Sequence, residues 1–271
     1  MKFNDMLESS IERQNSLLCV GIDPQIENVP GGPSCMVDFC KKYIDETAEF
    51  AATFKIQFAY FWEYEWWEKH LIEVIQYIKT HYPHIPVILD GKRGDIDRTS
   101  QRYALEFFSK YGADAGTFSP YMGEDVVLPI IERFPDKWIF LLGRTSNKHA
   151  GDLQDLELKD GRRVYEEVVR MMSHDWNTNG QIGIVAWATY PEELANIRKI
   201  VGDKVYLLVP GIGTQGWSIE HVVPAAQNSR WAWCVISSSS AIMNPKKPWE
   251  TPAIVARATQ EEINKYRRQA A

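Results

Sequence analysis

The distribution of apolar residues divides the chain into eight short segments that are almost continuously hydrophobic. Strands with one solvated face alternate apolar and polar residues, whereas strands that are buried on both faces are apolar throughout and are typical of parallel sheets. The eight segments are therefore predicted to be parallel strands. They span residues 16–23, 53–61, 85–92, 114–120, 137–144, 182–189, 204–211 and 232–239.

The stretches between these segments are amphipathic, with apolar residues recurring at three and four positions, which predicts helices. Pro191 suits the first turn of one helix, and Gly112 and Gly202 suit the ends of two others. Eight strand–helix units in 271 residues predict an α/β fold of the (β/α)8 type, the TIM barrel. An open doubly wound sheet is the alternative, although such sheets more often have about five or six strands. Because no linker interrupts the alternation, residues 1–271 are expected to form a single domain, with a helix before the first strand.

Charged residues stand where the predicted strands end, and in such a barrel the catalytic residues lie at that C-terminal face. Asp90 and Lys92 end the third strand, and Lys55 interrupts the otherwise apolar second strand. Charged groups are costly to bury unless they are paired or used in chemistry. An isolated Asp-x-Lys would be interpreted as a salt bridge at a strand end. Because Asp23 and Lys55 are expected at the same barrel mouth, a functional charged site is the better interpretation.

Short motifs are distributed from the first strand to the eighth. They are CVGIDP (19–24), FKIQFAYF (54–61), DGKRGDI (90–96) followed by Thr99, FSPYMGED (118–125), RTSN (144–147), ATYPEEL (188–194) and VPGIGTQG (209–216). The most specific is DGKRGDI, because it follows the third strand and is accompanied by the lysine of the second strand. In these motifs the chain resembles the orotidine 5'-phosphate decarboxylase family, in its longer bacterial type, over essentially its whole length.

The resemblance implies a carbon–carbon lyase of pyrimidine biosynthesis that converts orotidylate to uridylate and CO2 without a metal or cofactor. It implies that Lys92 is the cation beside the reacting ring carbon and the acid that protonates it, and that Asp90 faces the departing carboxylate. Lys55 would hold Asp90 and the ribose, and Asp95 would complete a Lys–Asp–Lys–Asp array from the other subunit of a homodimer. The remaining residues implied for substrate binding are Asp23 at the ribose, Ile96 and Thr99 from the other subunit, Ser146 at the pyrimidine edge, and Pro210 to Gln215 over base and phosphate.

Two departures from the family pattern bear on activity. Ser240 stands where the family carries an arginine that binds the substrate phosphate, so a neutral hydroxyl replaces a bidentate cation. Trp62, Trp187 and Trp217 stand where smaller or acidic residues are usual, and they are expected near the barrel mouth. The alternative hypothesis is therefore an engineered protein on this scaffold, with reduced or lost native activity and a pocket remodelled for a more apolar ligand, for binding or designed catalysis. His149 would be a candidate acid or base in such a pocket, although a solvated loop histidine is the simpler interpretation.

The composition narrows the classes of partner and compartment. A net charge of -6 gives no support to nucleic-acid binding, and no apolar run approaches the roughly 18 residues that span a membrane. The four cysteines lack a C-x-x-C spacing and the six histidines are scattered, so reduced thiols and no structural metal are expected, and the resemblance implies that no cofactor is used. These features predict a cytoplasmic protein, and the resemblance implies a small-molecule substrate.

Overall fold

Eight parallel strands form a closed barrel in the computed structural model, which describes residues 1–62, 65–187, 191–211, 218–230 and 233–267. Each strand pairs with the next one along the chain, and the last pairs with the first. The strands are β1 (Leu18–Ile22), β2 (Thr53–Gln57), β3 (Val87–Arg93), β4 (Ala115–Phe118), β5 (Trp138–Arg144), β6 (Ile182–Ala186), β7 (Leu207–Pro210) and β8 (Cys234–Ser238). The predicted (β/α)8 barrel is confirmed, and the closed sheet excludes the open doubly wound alternative.

Helices follow the strands and cover the outside of the barrel. They are α1 (Phe3–Gln14), α2 (Met36–Thr47), α3 (Ala59–Trp62), α4 (Trp67–His81), α5 (Asp97–Ala104), α6 (Leu128–Ile131), α7 (Gly151–Gln154), α8 (Val164–Arg170), α9 (Pro191–Val201), α10 (Ile219–Ala226), α11 (Ser240–Met243) and α12 (Pro252–Arg267). Single π-helical turns extend α5 over Leu105–Lys110 and α8 over Met171–Asp175. Within the described ranges, no helix combines the length and the apolar character that crossing a bilayer requires.

The N-terminal helix α1 packs across the end of the barrel where the strands begin. The Phe3 ring lies 5.8 Å from that of Trp138 and 5.9 Å from that of Phe140, and Leu7 is fully buried beside them in the core. The Phe3 N–H donates to the carbonyl of Asp136, just before β5. Because α1 covers this end, the opposite end, where the strands finish, is the one open to a ligand.

Among the predicted strand boundaries that fall on described residues, most lie within two residues of the observed ones and two differ by more. The apolar run 53–61 was predicted as one strand, but β2 ends at Gln57 and residues 59–62 form α3. Hydrophobic runs of this length do not distinguish strand from buried helix, and here Phe61 is fully buried by the helical turn. Likewise β7 begins at Leu207, because Gly202–Lys204 form a 3-10 turn first. The predicted ends at residues 188–189 and 232 lie outside the described residues.

A buried guanidinium fastens the segments that lead into β7 and β8. Arg198 in α9 donates to the carbonyl groups of Ala226, Gly202, Val205 and Trp233 at 2.8–2.9 Å. Burial lowers the pKa of Arg198 to about 10, so the side chain remains charged at neutral pH. The N–H groups of the Arg198 guanidinium thus find four main-chain acceptors, so this buried cation does not need a carboxylate partner.

Candidate active site

Two neighbouring strands bring three charged side chains into contact. Lys55 lies within β2, and Asp90 and Lys92 lie in the second half of β3. The Nζ atom of Lys55 is 3.2 Å from Oδ2 of Asp90, and Nζ of Lys92 is 2.6 Å from Oδ1. All three line a cavity at the C-terminal end of the barrel. The structure therefore brings together three of the four charged residues that the sequence analysis placed at the barrel mouth.

Asp90 is the centre of this cluster because its carboxylate accepts four hydrogen bonds. Oδ2 accepts from Lys55 Nζ and Gln57 Nε2 at 3.2 Å each, and Oδ1 accepts from Lys92 Nζ at 2.6 Å and Thr117 Oγ1 at 2.7 Å. Burial alone would raise the pKa of Asp90, but the two lysines and the hydrogen bond from Thr117 outweigh it and lower the pKa to about 2. The carboxylate is therefore ionised at neutral pH despite its burial.

Lys55 is held between two carboxylates. Its Nζ lies 3.2 Å from Asp90 and 3.8 Å from Oδ1 of Asp23 at the end of β1. Burial would lower the pKa of Lys55, but the two carboxylates outweigh it and raise the pKa above its ordinary value. Lys55 is thus a fixed cation, not the neutral amine that a Schiff-base nucleophile requires. Within the described residues Oδ1 of Asp23 has no hydrogen-bond donor, so it is available to a ligand hydroxyl.

A bulge in β3 carries Asp90 and Lys92. The paired positions on its two sides are Leu89 with Gly116 and Arg93 with Phe118. Three residues of β3 therefore lie opposite one residue of β4, Thr117. Bulges near active sites re-aim side chains. In this bulge Lys92 takes the left-handed conformation, with φ of 47°, which residues with a Cβ atom rarely adopt.

The cavity combines a charged floor, an apolar wall and a rim of hydroxyl groups in a volume of about 200 Å³. The floor holds two lysines and two aspartates, so the formal charges of the described lining residues cancel. The apolar wall comes from β6 and β7, opposite the charged strands. Its described lining residues are Asp23, Lys55, Gln57, Asp90, Lys92, Thr117, Val185, Trp187, Leu208, Pro210, Gly211, Ser237, Ser239 and Ser240.

The other residues predicted for the site fall into three groups. Those that line the cavity are Asp23, Pro210, Trp187 and Ser240. Those that lie outside the described residues are Gln215 and Trp217. Those that are described but do not line the cavity are Asp95, Ile96, Thr99, Ser146, Trp62 and His149.

Asp95 does not join the charged cluster of its own chain. Its Oδ1 accepts the N–H of Ile96 at 2.8 Å, and within the described ranges it forms no ion pair with Lys55 or Lys92. Ile96 and Thr99 are exposed and border a separate surface groove. One chain therefore assembles three of the four members of the implied charge array.

Trp62 and His149 do not lie where a remodelled pocket would need them. Because β2 ends at Gln57, Trp62 falls in α3, where it is more than half exposed and its ring lies 5.5 Å from that of Phe58. His149 is exposed in the segment after β5, with Nδ1 3.4 Å from Oδ2 of Asp152. Trp187 is the described tryptophan that lines the cavity.

The sequence analysis missed two residues that contact Asp90, namely Gln57 and Thr117. Gln57 stands two positions after Lys55, and alternate residues of a strand point to the same face. Thr117 is the polar residue of the otherwise apolar β4. Both signals are weak, because an amide or a hydroxyl is easily accommodated in a strand by a hydrogen bond to the main chain.

Metal ligands are not clustered in the part of the chain that the structure describes. No group of three His, Cys, Asp or Glu side chains is arranged there to hold a metal ion, and the four cysteines are free thiols. The charged and polar groups that line the cavity include two ammonium groups, two carboxylates and several hydroxyl groups.

Comparison with known proteins connects this cavity to a family. The model of the orotidine 5'-phosphate decarboxylase / HUMPS family matches residues 16–239. The chain is 43% identical to orotidine 5'-phosphate decarboxylase of Janthinobacterium sp. (strain Marseille) over 274 aligned positions, which cover 98% of this chain and 99% of the relative. It is 44% identical to the enzyme of the same name from Dechloromonas aromatica (strain RCB), covering 98% of this chain and all of the relative.

Solved structures agree with the sequence comparison. The structure of Leishmania donovani OMP decarboxylase matches with a TM-score of 0.88 and 37% identity, covering 98% of this chain and 99% of that one. A putative orotidine-monophosphate-decarboxylase from Toxoplasma gondii matches with a TM-score of 0.91 and 29% identity, covering 99% and 97%. These findings support the decarboxylase hypothesis and give no support to the engineered alternative. This chain belongs to the orotidine 5'-phosphate decarboxylase family, a family of decarboxylating lyases.

Proposed function

We propose that the cavity at the barrel mouth decarboxylates orotidine 5'-phosphate to uridine 5'-phosphate. The observation that carries this proposal is the contact of Lys55, Asp90 and Lys92 at the carboxyl ends of β2 and β3. Loss of CO2 breaks the bond between the ring carbon and the carboxylate carbon and leaves the electron pair on the ring. The Lys92 ammonium then donates a proton to that carbon, forms the new C–H bond, and regains a proton from water.

The charge arrangement suits this step because little has to move as charge develops. Asp90 is ionised and held by four donors, so its negative charge is fixed near the position proposed for the substrate carboxylate. As CO2 leaves, repulsion from Asp90 is relieved while the negative charge grows beside Lys92. Fixed charges aimed at the place where charge develops stabilise a transition state without a reorganisation cost.

The remaining predicted roles are part of the same proposal. Asp23 is proposed to accept from the ribose, and this role is supported by its Oδ1, which faces Lys55 at 3.8 Å but accepts no hydrogen bond within the described residues. Ser146 and Gln215 are proposed for the pyrimidine and the phosphate, and Pro210 and Ser240 border the space for them. The reaction is proposed to take place in the cytoplasm.

We further propose a homodimer in which Asp95, Ile96 and Thr99 complete the partner's site. The separation of Asp95 from the charged cluster of its own chain supports this arrangement. So does the exposure of large apolar side chains, since Ile96 itself is 41% exposed, and Tyr121 and Met122 after β4 are 79% and 51% exposed. Aromatic residues and methionine are enriched at protein interfaces.

The proposed function is tested by adding orotidylate to the purified protein and following the loss of its absorbance, with uridylate binding measured in parallel. Lys92→Ala removes the proposed acid and is expected to lower kcat by a factor on the order of 1,000 or more. Lys42→Ala is the matched control, because the Lys42 side chain is 79% exposed on α2. A wild-type protein without turnover, or a Lys92→Ala protein that turns over normally, would contradict the proposal.

The shared site is tested by mixing two inactive variants. Lys92→Ala lacks its own acid but still offers Asp95 to a partner, whereas Asp95→Ala has the reverse defect. Exchange between two such homodimers is expected to restore activity in about one quarter of the sites, because half of the dimers become hybrids with one intact site each. Mixtures that stay inactive after exchange, shown by mass spectrometry of the hybrids, would exclude the shared arrangement.

A further inference from the structure

Thr117 of β4 contacts both functional parts of the β3 bulge. Its side chain is almost completely buried, at 1% exposure, and it lines the cavity. Its Oγ1 donates to Oδ1 of Asp90 at 2.7 Å. The same oxygen accepts the main-chain N–H of Lys92 at 3.0 Å. One hydroxyl therefore links the carboxylate of the charged cluster to the backbone that carries its ammonium group.

The bulge explains why a side chain is needed at this point. Thr117 is the single residue of β4 opposite three residues of β3, so the regular ladder of main-chain hydrogen bonds is interrupted there. The N–H of Lys92 bonds to the Thr117 hydroxyl in place of a main-chain carbonyl of β4. The ladder resumes two residues later, where Ser119 N–H donates to the carbonyl of Arg93 at 2.7 Å.

The backbone at the bulge is held against its ordinary preference. Lys92 has a left-handed backbone conformation. A residue with a Cβ atom is more stable in other conformations, so the neighbours of Lys92 must hold it in this one. A Cβ atom at Gly91 would lie 2.6 Å from Cζ of Phe107, so the residue before Lys92 is fixed by close packing. The hydrogen bond to Thr117 fixes Lys92 itself from the β4 side.

We propose that Thr117 is a positioning residue for the decarboxylation, in that its hydroxyl keeps Lys92 and Asp90 in register with each other. This inference rests on the proposed function. Thr117 acts through the two charged groups and takes no proton from the substrate. A hydroxyl suits the task because it offers one donor and two acceptor positions, whereas a valine of the same shape offers neither.

Gln57 illustrates the difference between contact and positioning. It also donates to Asp90, but to Oδ2 at 3.2 Å and from the β2 side. Thr117 contacts the other oxygen, Oδ1, which is the one that Lys92 Nζ also binds. Loss of the Thr117 hydroxyl therefore frees the Lys92 backbone and the oxygen to which its ammonium group is bound at the same time.

The kinetic test compares Thr117→Val, Thr117→Ser and Thr53→Val with the wild type. Thr117→Val is expected to lower kcat about 10- to 100-fold with little change in KM, because small misplacement of reacting groups affects the chemical step. Thr117→Ser keeps the hydroxyl and is expected to stay within about threefold of wild type. Thr53→Val is the matched control, since Thr53 is a fully buried strand threonine whose Oγ1 donates to the main-chain carbonyl of Pro86.

The outcomes separate positioning from general structural support. A Thr117→Val protein with unchanged kcat, or one whose KM rises while kcat is kept, would overturn the inference. An equal loss of kcat in Thr53→Val would do so as well, because any buried threonine would then have the same effect. If Thr117→Val does not fold, Thr117→Cys replaces it, because a thiol is a weak donor of similar size; wild-type kcat in that variant would overturn the inference.

A second measurement does not depend on catalysis. The charged groups that face Asp90 are Lys55 from β2 and Lys92 from β3, with Asp23, which follows β1, beyond Lys55. The Thr117 hydrogen bond helps to lower the pKa of Asp90 to about 2, so the Tm difference between wild type and Thr117→Val should be constant above about pH 4 and should shrink as the pH falls from there toward 2. A constant difference, as expected for Thr53→Val, would overturn the inference even if the wild type does not decarboxylate orotidylate. In an inactive wild type, a shrinking difference would still support the link between the hydroxyl and the carboxylate, while the proposed function would fail.

Discussion

Asp90→Asn tests whether the charged cluster stabilises the fold or only serves chemistry. The substitution keeps the shape of the side chain but removes the charge that Lys55 meets at 3.2 Å and Lys92 at 2.6 Å. Lys55 is almost fully buried, so its ammonium group cannot turn to water. We therefore expect the variant to lose stability as well as activity.

The expected loss of folding stability in Asp90→Asn can be derived in two ways. Lowering the pKa of Asp90 from 3.8 to about 2 corresponds to about 2 kcal/mol of stabilisation at neutral pH. Removing one partner of a buried ion pair typically destabilises by about 3–5 kcal/mol, and the lower end applies here because Asp23 still lies 3.8 Å from Lys55. We expect a loss of about 2–3 kcal/mol at pH 7.

Urea unfolding at a series of pH values provides the measurement. Because the folded pKa of Asp90 is lowered, its stabilising contribution is present above about pH 4 and is lost as the pH falls toward 2. The free energy difference between wild type and Asp90→Asn should therefore decrease over that window, with an unchanged slope in urea. Asp45→Asn is the control, since Asp45 is an exposed carboxylate that accepts from Tyr77 and Tyr82 and should show a much smaller loss.

A variant as stable as the wild type, or more stable, would refute this reasoning. It would mean that the cluster is held together at the expense of the fold, as active sites often are. The double variant Lys55→Met with Asp90→Asn distinguishes the two views. If the loss comes from the unpaired Lys55, the double variant should recover part of the stability that Asp90→Asn loses.

Two further expectations concern the cavity rim and the far end of the barrel. Ser240→Arg adds a cation to a cavity whose described charges cancel, so it should raise the ratio of kcat/KM for orotidine 5'-phosphate over orotidine by about 10- to 100-fold. Ser34→Arg on the exposed surface controls for net charge, and an unchanged ratio in Ser240→Arg would exclude a phosphate position beside Ser240. Arg198→Met removes the side-chain donor of four carbonyl groups, of which that of Trp233 still accepts the Leu207 N–H, and should cost at least about 3 kcal/mol in urea unfolding. Arg170→Met, which removes exposed ion pairs to Glu167 and Asp175, should cost less than about 1 kcal/mol, and equal losses would contradict the role given to Arg198.

The barrel was predictable because burial on both faces of a parallel strand leaves a continuous apolar run in the sequence. The run that contains Phe61 shows the limit of this signal. Its residues are buried as predicted, but by a helical turn after β2 and not by the strand. Apolar character reports burial, whereas the point at which a strand turns into a helix depends on packing that is absent from a single sequence.

The charged part of the site was equally predictable, since Lys55 and Asp90 are costly to bury and so stand out in apolar strands. Thr117 and Gln57 were missed because a buried hydroxyl or amide is ordinary. The bulge could not be predicted from the sequence either. Three residues of β3 lie opposite one residue of β4 because of the register between the two strands, which the sequence does not show. Trp62 was wrongly predicted at the barrel mouth. It directly follows the motif FKIQFAYF in the sequence, but it does not line the cavity in the structure.

The spacing of the bulge also limits how this chain can change in length. From Leu89 to Arg93 β3 advances four residues, while from Gly116 to Phe118 β4 advances two. The surplus is even, so inward and outward positions resume in step after the bulge, as the two-residue period of a strand requires. An insertion or deletion of one residue at positions 90–92 would exchange the two faces for Arg93, which ends β3 and pairs with Phe118. Changes in length are therefore expected to be tolerated in the surface loops and rejected here, because a single added residue would turn Arg93 to the opposite face.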